Sequence, residues 1–302
     1  MTSSSASVFR GAWTALVTPM RDGKVDAAAL EALVETQIKQ GIHGLVPCGT
    51  TGESPTLSHA EHVEVVEIVT KKAAGRVPIL AGAGSNSTSE AIDLAKLCSK
   101  LGVAGTLQIT PYYNRPDPEG LIAHFGAIAE AVDLPIIVYN VPGRTGCDIG
   151  PHTLAELAKR TPQVVGVKEA TASMVRASDV REHCGPDFAI LSGDDFTVLP
   201  LMALGGNGVI SVGSNLAPGL FARMCEAAAA GRWDEARTIH YQLMPLCRAL
   251  FTKSNPIPVK TAMAMLGQCA PEIRLPLQML PEDAPQRVQL QKELESLELW
   301  NQ

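Results

Sequence analysis

The sequence predicts an α/β fold, a (β/α)8 TIM barrel with a C-terminal helical extension. Eight short apolar, β-branched runs recur along the chain as far as residue 213, each bounded by turn chemistry. The segments between them carry helical period and helix-start residues. Beyond about residue 225 the runs stop and only helical patterns remain. A chain of 302 residues, 46% of them hydrophobic, can build a core of that size.

In order, the runs are WTALVTP (13–19), HGLVPCG (43–49), PILAGAG (78–84), GTLQITP (105–111), PIIVYNVP (135–142), VVGVKEA (164–170), FAILSGDD (188–195) and GVISVG (208–213). Continuous apolar runs suit strands buried on both faces, the pattern of a parallel sheet. Asp26 opens AAALEALVETQIKQG, which ends at Gly41. Ser58 opens HAEHVEVVEIVTKKAAG, and Ser87 opens TSEAIDLAKLCSKLG. Glu61 and Glu90 stand three residues on, the spacing of capping boxes. Strand and helix beats in this number close most simply into a barrel. An open doubly wound sheet is the alternative, but PILAGAGSN carries only a partial dinucleotide-binding signature. RWDEARTIHYQLMPLCRALF, PIPVKTAMAMLG and APQRVQLQKELESLELW supply three helices of the extension. The barrel is assigned to 1–225 and the extension to 226–302.

A net charge of −6 and a pI near 5.7 argue against a nucleic-acid or anionic-membrane surface. No stretch approaches the roughly 18 apolar residues of a membrane span. The opening MTSSSASVFRG lacks the apolar segment of a secretory signal. Seven scattered cysteines without a CxxC pair read as free thiols of a reducing cytoplasm.

In a barrel, reactive residues gather at the C-terminal ends of the strands and in the loops beyond them. Lys168 stands near the end of the run VVGVKEA, and side-chain alternation turns it and Glu169 to opposite faces. It reads as a lysine paired with a buried carboxylate, as one that snorkels out of the barrel mouth, or as an amine nucleophile that attacks a carbonyl to form a Schiff base. GTTGES (49–54) frames Thr50 and Thr51 with glycines, so its N–H groups can cradle a carboxylate; it lacks a phosphate-binding lysine. YNVPGRTG (139–146) places the Tyr139 phenol on a strand and the Arg144 guanidinium just past it, suited to a carboxylate. Tyr112 and Tyr113 follow the fourth run. His59 and His62 share a helix face, yet no HExxH or cysteine partner supports a metal. Asp194 and Asp195 read as helix-capping residues.

Taken in order, GTTGE, TPYYNRP, YNVPGRTG, GVKEA and SGDD resemble the pyruvate-dependent Schiff-base lysine aldolase family. The similarity runs from WTALVTP to NPIPVK, ending at residue 260. It is closest to members that condense pyruvate with L-aspartate 4-semialdehyde to 4-hydroxy-tetrahydrodipicolinate, in lysine and diaminopimelate biosynthesis. The resemblance implies a cytoplasmic homotetramer built as a dimer of dimers. It implies no cofactor beyond the covalent imine with pyruvate, and no metal. Lys168 would form that imine, with Tyr139, Thr50 and Tyr113 as proton relay, Tyr113 reaching a neighbouring subunit's site. Thr51 would hold the pyruvate carboxylate and Arg144 that of the aldehyde, while Gly193 and Ile210 shape the pocket. L-Lysine is an expected inhibitor, bound by Ser54, Pro55, His59, His62, Asn86, Glu90 and Tyr112. Pro55 stands where inhibited members can carry a smaller residue. Within the family the rivals are an N-acetylneuraminate lyase or a sugar-acid aldolase. A non-catalytic keto-acid sensor is the rival from another class.

Overall fold

A computed structural model describes residues 8–300. Residues 1–7, read above for a secretory signal, lie outside the described residues. β1 (Gly11–Ala15) is followed by a small hairpin, β2 (Met20–Arg21) and β3 (Lys24–Val25), and by α1 (Ala27–Lys39). Next come β4 (Gly44–Val46), α2 (His59–Ala73), β5 (Leu80–Gly82), α3 (Thr88–Ser99), β6 (Gly105–Ile109) and α4 (Pro118–Ala131). β7 (Ile136–Asn140) leads through one helical turn, α5 (Pro142–Thr145), to α6 (Pro151–Arg160). β8 (Val164–Glu169), α7 (Met174–Cys184), β9 (Ala189–Ser192), α8 (Val198–Ala203), β10 (Gly208–Ser211) and α9 (Pro218–Ala229) complete the alternation. α10 (Trp233–Leu250), α11 (Ile257–Met265) and α12 (Pro285–Ser296) follow with no strand between them. Every expected run contains a strand. Residue 225 falls within α9, so the first helix without a preceding strand starts at Trp233.

The described residues form two compact units, one of residues 8–11 and Pro78–Ile210, the other of Ala12–Val77 and residues 211–300. In the first unit, β5 to β10 lie side by side in sequence order and all run parallel. Val138, Val167 and Ile190 are register neighbours and belong to one core cluster with Phe125, Ile128 and Val180 of the helices. Burying each such side chain contributes roughly 1.5–3 kcal/mol. Alternation then turns their neighbours Tyr139, Lys168 and Leu191, also in register, to the opposite face.

In the second unit, β1 pairs with β4, Trp13 opposite Gly44. A Cβ at Gly44 would lie 2.3 Å from the Trp13 ring, so only glycine lets the two strands close. The first run was expected to continue to Pro19, but its strand ends at Ala15. The Val17 N–H turns to the Asn215 side chain at 3.1 Å, and the Thr18 hydroxyl donates to the Gly52 carbonyl at 2.7 Å. Asp26 caps α1, accepting from the Ala29 N–H, and its pKa is held low chiefly by that bond and by the Arg21 guanidinium. Ser58 and Glu61 form the full capping box at α2.

The second expected box is not complete. Ser87 does cap α3 by accepting the Glu90 N–H, but the Glu90 carboxylate takes the Ser85 hydroxyl instead of the N-cap backbone. Nor do the aspartates of SGDD cap α8, whose N-cap is Thr197. Asp194 accepts the Phe196 N–H at 3.0 Å and so closes a turn two residues long before the helix can begin. Burial raises its pKa.

Candidate active site

In the first unit the candidate residues lie on β7 and β8 and in the turn after β9. Lys168 is 6% exposed, and its ammonium nitrogen lies 4.2 Å from the centre of the Tyr139 ring on the adjoining strand. Among the described residues no carboxylate pairs with it. That disposes of the structural reading in which a buried acid neutralises this lysine. Gly193, in the turn after β9, explains how the side chain fits. A Cβ there would meet Lys168 Cε at 3.2 Å and Ala170 Cβ at 2.6 Å, so glycine leaves the lysine its room. Ile210 is buried on β10.

Glu169, one residue on, faces the helices. Its carboxylate accepts from Arg176 Nε of α7 at 2.8 Å, from the Thr171 N–H at 2.8 Å and from Asn140 Nδ2 at 3.2 Å. Asn140 also donates to Asp148 at 2.9 Å and accepts the Ile149 N–H at 3.2 Å. Arg176 reaches both Asp148 oxygens, at 2.9 and 3.0 Å, and donates to the Ile149 carbonyl. Both ends of the segment bearing Arg144 are thereby tied to β8. Arg144 itself is exposed on α5. The Tyr113 N–H donates to Thr145 O at 3.3 Å, which joins the tyrosine loop to the same turn. Tyr113 is 91% exposed with a left-handed φ of 71°. Asn86 donates to the Tyr112 carbonyl at 3.1 Å, and its own carbonyl accepts from Asn114 at 2.8 Å. With Glu90 and Ser85 nearby on α3 and the loop before it, this half of the expected inhibitor site is a braced cluster.

The second unit carries the remaining expected residues. Thr50 is half-buried and Thr51 buried in the loop after β4, and Thr51 Oγ1 accepts from Asn255 at 3.0 Å. The Gly52, Glu53 and Ser54 N–H groups return to Gly49 and Thr50 carbonyls within the loop. The carboxylate cradle expected of GTTGES therefore narrows to Thr50 and Thr51. Ser54 and Pro55 form a 3-10 turn, with Pro55 exposed. His59 is exposed at the start of α2, whereas His62 is buried and its carbonyl meets the Cys48 thiol at 3.5 Å. Glu61 is drawn to a pKa of about 2, first by Arg274 and then by the Ser58 N–H.

Sequence reasoning missed two ion pairs, Glu169–Arg176 in the first unit and Glu53–Lys260 in the second. Lys260 is a lone charge in the apolar helix IPVKTAMAM. The question raised by Lys168 applied equally to it. The structure separates the two lysines: Lys260 has its carboxylate at 2.5 Å, and Lys168 has none among the described residues.

A buried amine with no carboxylate partner among the described residues, lying over a phenol at the end of a parallel strand, is an arrangement that suits a lyase of the class I aldolase type. Residues 8–296 match the Dihydrodipicolinate synthetase family, and the chain belongs to it. It is 54% identical over 283 residues to the 4-hydroxy-tetrahydrodipicolinate synthase of Maridesulfovibrio salexigens, covering 94% of this chain and 97% of that one. Among solved structures, the dihydrodipicolinate synthase of Acinetobacter baumannii complexed with pyruvate is 44% identical with a TM-score of 0.93, covering 96% and 99% of the two chains. That of Cyanidioschyzon merolae with lysine bound is 42% identical, also with a TM-score of 0.93, covering 97% and 99%. The fold is accordingly the TIM barrel of this family with its C-terminal helices.

Proposed function

We propose that this chain condenses pyruvate with L-aspartate 4-semialdehyde through an imine on Lys168, the 4-hydroxy-tetrahydrodipicolinate synthase reaction of lysine and diaminopimelate biosynthesis. The observation that carries the residue assignment is the buried, carboxylate-free Lys168 amine over Tyr139. The amine attacks the pyruvate ketone and water leaves. The protonated imine then draws electrons from the methyl C–H bond, giving an enamine. Its carbon attacks the aldehyde, and the substrate's own amine displaces Lys168 as the ring closes. Tyr139, Thr50 and Tyr113 relay protons, and Thr51 holds the pyruvate carboxylate. The catalytic residues fall within 1–225, and the chain of 226–302 braces the Thr50–Thr51 loop through Asn255 and Lys260. Seven thiols in no disulfide accord with the cytoplasm. The exposed Tyr113 supports completion of each site by a neighbouring subunit in a dimer of dimers. Turnover of pyruvate with aspartate semialdehyde, against none with N-acetylneuraminate, tests the reading. The reverse result would make the chain a sugar-acid lyase on the same imine.

Arg144→Ala should spare imine formation with pyruvate and weaken use of the aldehyde. Losing a charged hydrogen-bonding partner costs about 1.5–3 kcal/mol, roughly a 10- to 100-fold drop in kcat/KM for that substrate. If KM for pyruvate rose instead, the two carboxylate roles would have to be exchanged.

L-Lysine is the proposed feedback inhibitor. The lysine-bound relative supports this reading, as does Glu90, whose carboxylate engages Ser85 beside the Asn86–Tyr112 brace instead of its own helix start. An acid so placed suits an ammonium group. Activity at saturating substrates should fall at millimolar lysine in the wild type and much less in Glu90→Ala. Inhibition unchanged by that substitution would put the inhibitor elsewhere.

A further inference from the structure

An ion pair lies behind the Thr50–Thr51 loop and takes no part in the reaction just described. Lys260 on α11 is 0% exposed. Its ammonium donates to Glu53 at 2.5 Å and to the Thr18 carbonyl at 3.0 Å. The other Glu53 oxygen accepts the Arg274 N–H at 2.9 Å. Each partner leads straight back to the loop. The Glu53 N–H donates to Thr50 O at 3.1 Å, the Thr18 hydroxyl donates to Gly52 O at 2.7 Å, and Asn255 holds Thr51 Oγ1. Lys260, Arg274 and Asn255 all come from the chain beyond α10.

The loop needs holding. Cys48 and Glu53, neither of them glycine, have φ of 56° and 57°, in the left-handed region. Such conformations persist only where the surroundings over-determine them. A fully buried ion pair is a weak source of stability, because desolvating two charges offsets most of their attraction. Apolar residues of the same volume often serve stability equally well. What they do not supply is a fixed point for a carboxylate, and here that carboxylate ends the loop.

We propose that the Lys260–Glu53 pair is a positioning element for catalysis: it fixes the Thr50 hydroxyl and Thr51 in register for pyruvate from the C-terminal extension. This rests on the roles assigned above to Thr50 and Thr51. Neither Lys260 nor Glu53 acts on the substrate; they act through the loop.

Two variants test it. Glu53→Gln with Lys260→Met removes both charges at nearly constant volume. Glu53→Asp keeps the charge pair but shortens the tether by one methylene. Both should melt close to the wild type while kcat falls about 10- to 100-fold, the scale expected of a displacement near 1 Å. KM for pyruvate should rise and KM for the aldehyde stay within about twofold, a split that a merely structural pair would not produce. Borohydride trapping of pyruvate on the wild type is run alongside. If the wild type forms its adduct at Lys168 and either folded variant keeps wild-type kcat and pyruvate KM, the positioning role is overturned. If the wild type forms no adduct at Lys168, the underlying assignment of the active site fails instead.

Discussion

Borohydride added with pyruvate should leave a permanent three-carbon adduct on the wild-type chain and none on Lys168→Ala. Only an imine is reduced to a stable secondary amine, so the measured quantity is a mass increase and the peptide that carries it. Turnover should drop by on the order of 1,000-fold or more, because removing a covalent nucleophile removes the route and not one contact along it. The fold should survive. Truncating a buried four-carbon stem opens a cavity, which destabilises, but it also relieves the burial of an amine that has no carboxylate beside it. The two effects oppose, and the melting temperature should move by only a few degrees. The other buried lysine serves as the internal control. Lys260 spends its ammonium on Glu53 and Thr18, so it should carry no adduct. A wild-type adduct mapped to any lysine but 168 would end the assignment.

The barrel was legible because its strands are buried on both faces and so appear as unbroken apolar runs. Val164 to Glu169 is such a run, and its six residues are all buried. Lys168 stood out for the same reason, as a charge against an apolar background. Caps at Asp26, Ser58 and Ser87 were legible because each donor is within three residues of its acceptor. What the sequence concealed is long-range pairing. Lys260 and Glu53 are 207 residues apart, and nothing local in GTTGES says that its glutamate is anchored by a distant lysine. Glu90 shows the converse error. The capping spacing was right and the N–H bond forms, but a serine outside the motif took the carboxylate. Local patterns specify backbone donors well, whereas a side-chain acceptor goes to whichever donor the fold brings closest.

Arg176→Ala should destabilise the chain by about 3–5 kcal/mol. The Glu169 side chain is 4% exposed, and Arg176 Nε at 2.8 Å is its cationic partner. Without it, a buried carboxylate keeps only the neutral donors of Thr171 and Asn140. At roughly 1.5–2 °C per kcal/mol for a chain of 302 residues, the melting temperature should fall by about 5–10 °C. Glu169→Gln in the same chain removes the stranded charge and should recover part of the loss, which separates the charge from the lost packing of the arginine. The consequence reaches function through Asn140, Asp148 and Ile149, which hold the ends of the Arg144 segment. KM for the aldehyde should therefore rise in Arg176→Ala as it does in Arg144→Ala, though less, while the pyruvate adduct still forms on Lys168. A melting temperature within about 2 °C of the wild type would show that the Arg176–Glu169 contact adds little to stability. An unchanged aldehyde KM in the folded variant would show that Arg144 keeps its place without this brace.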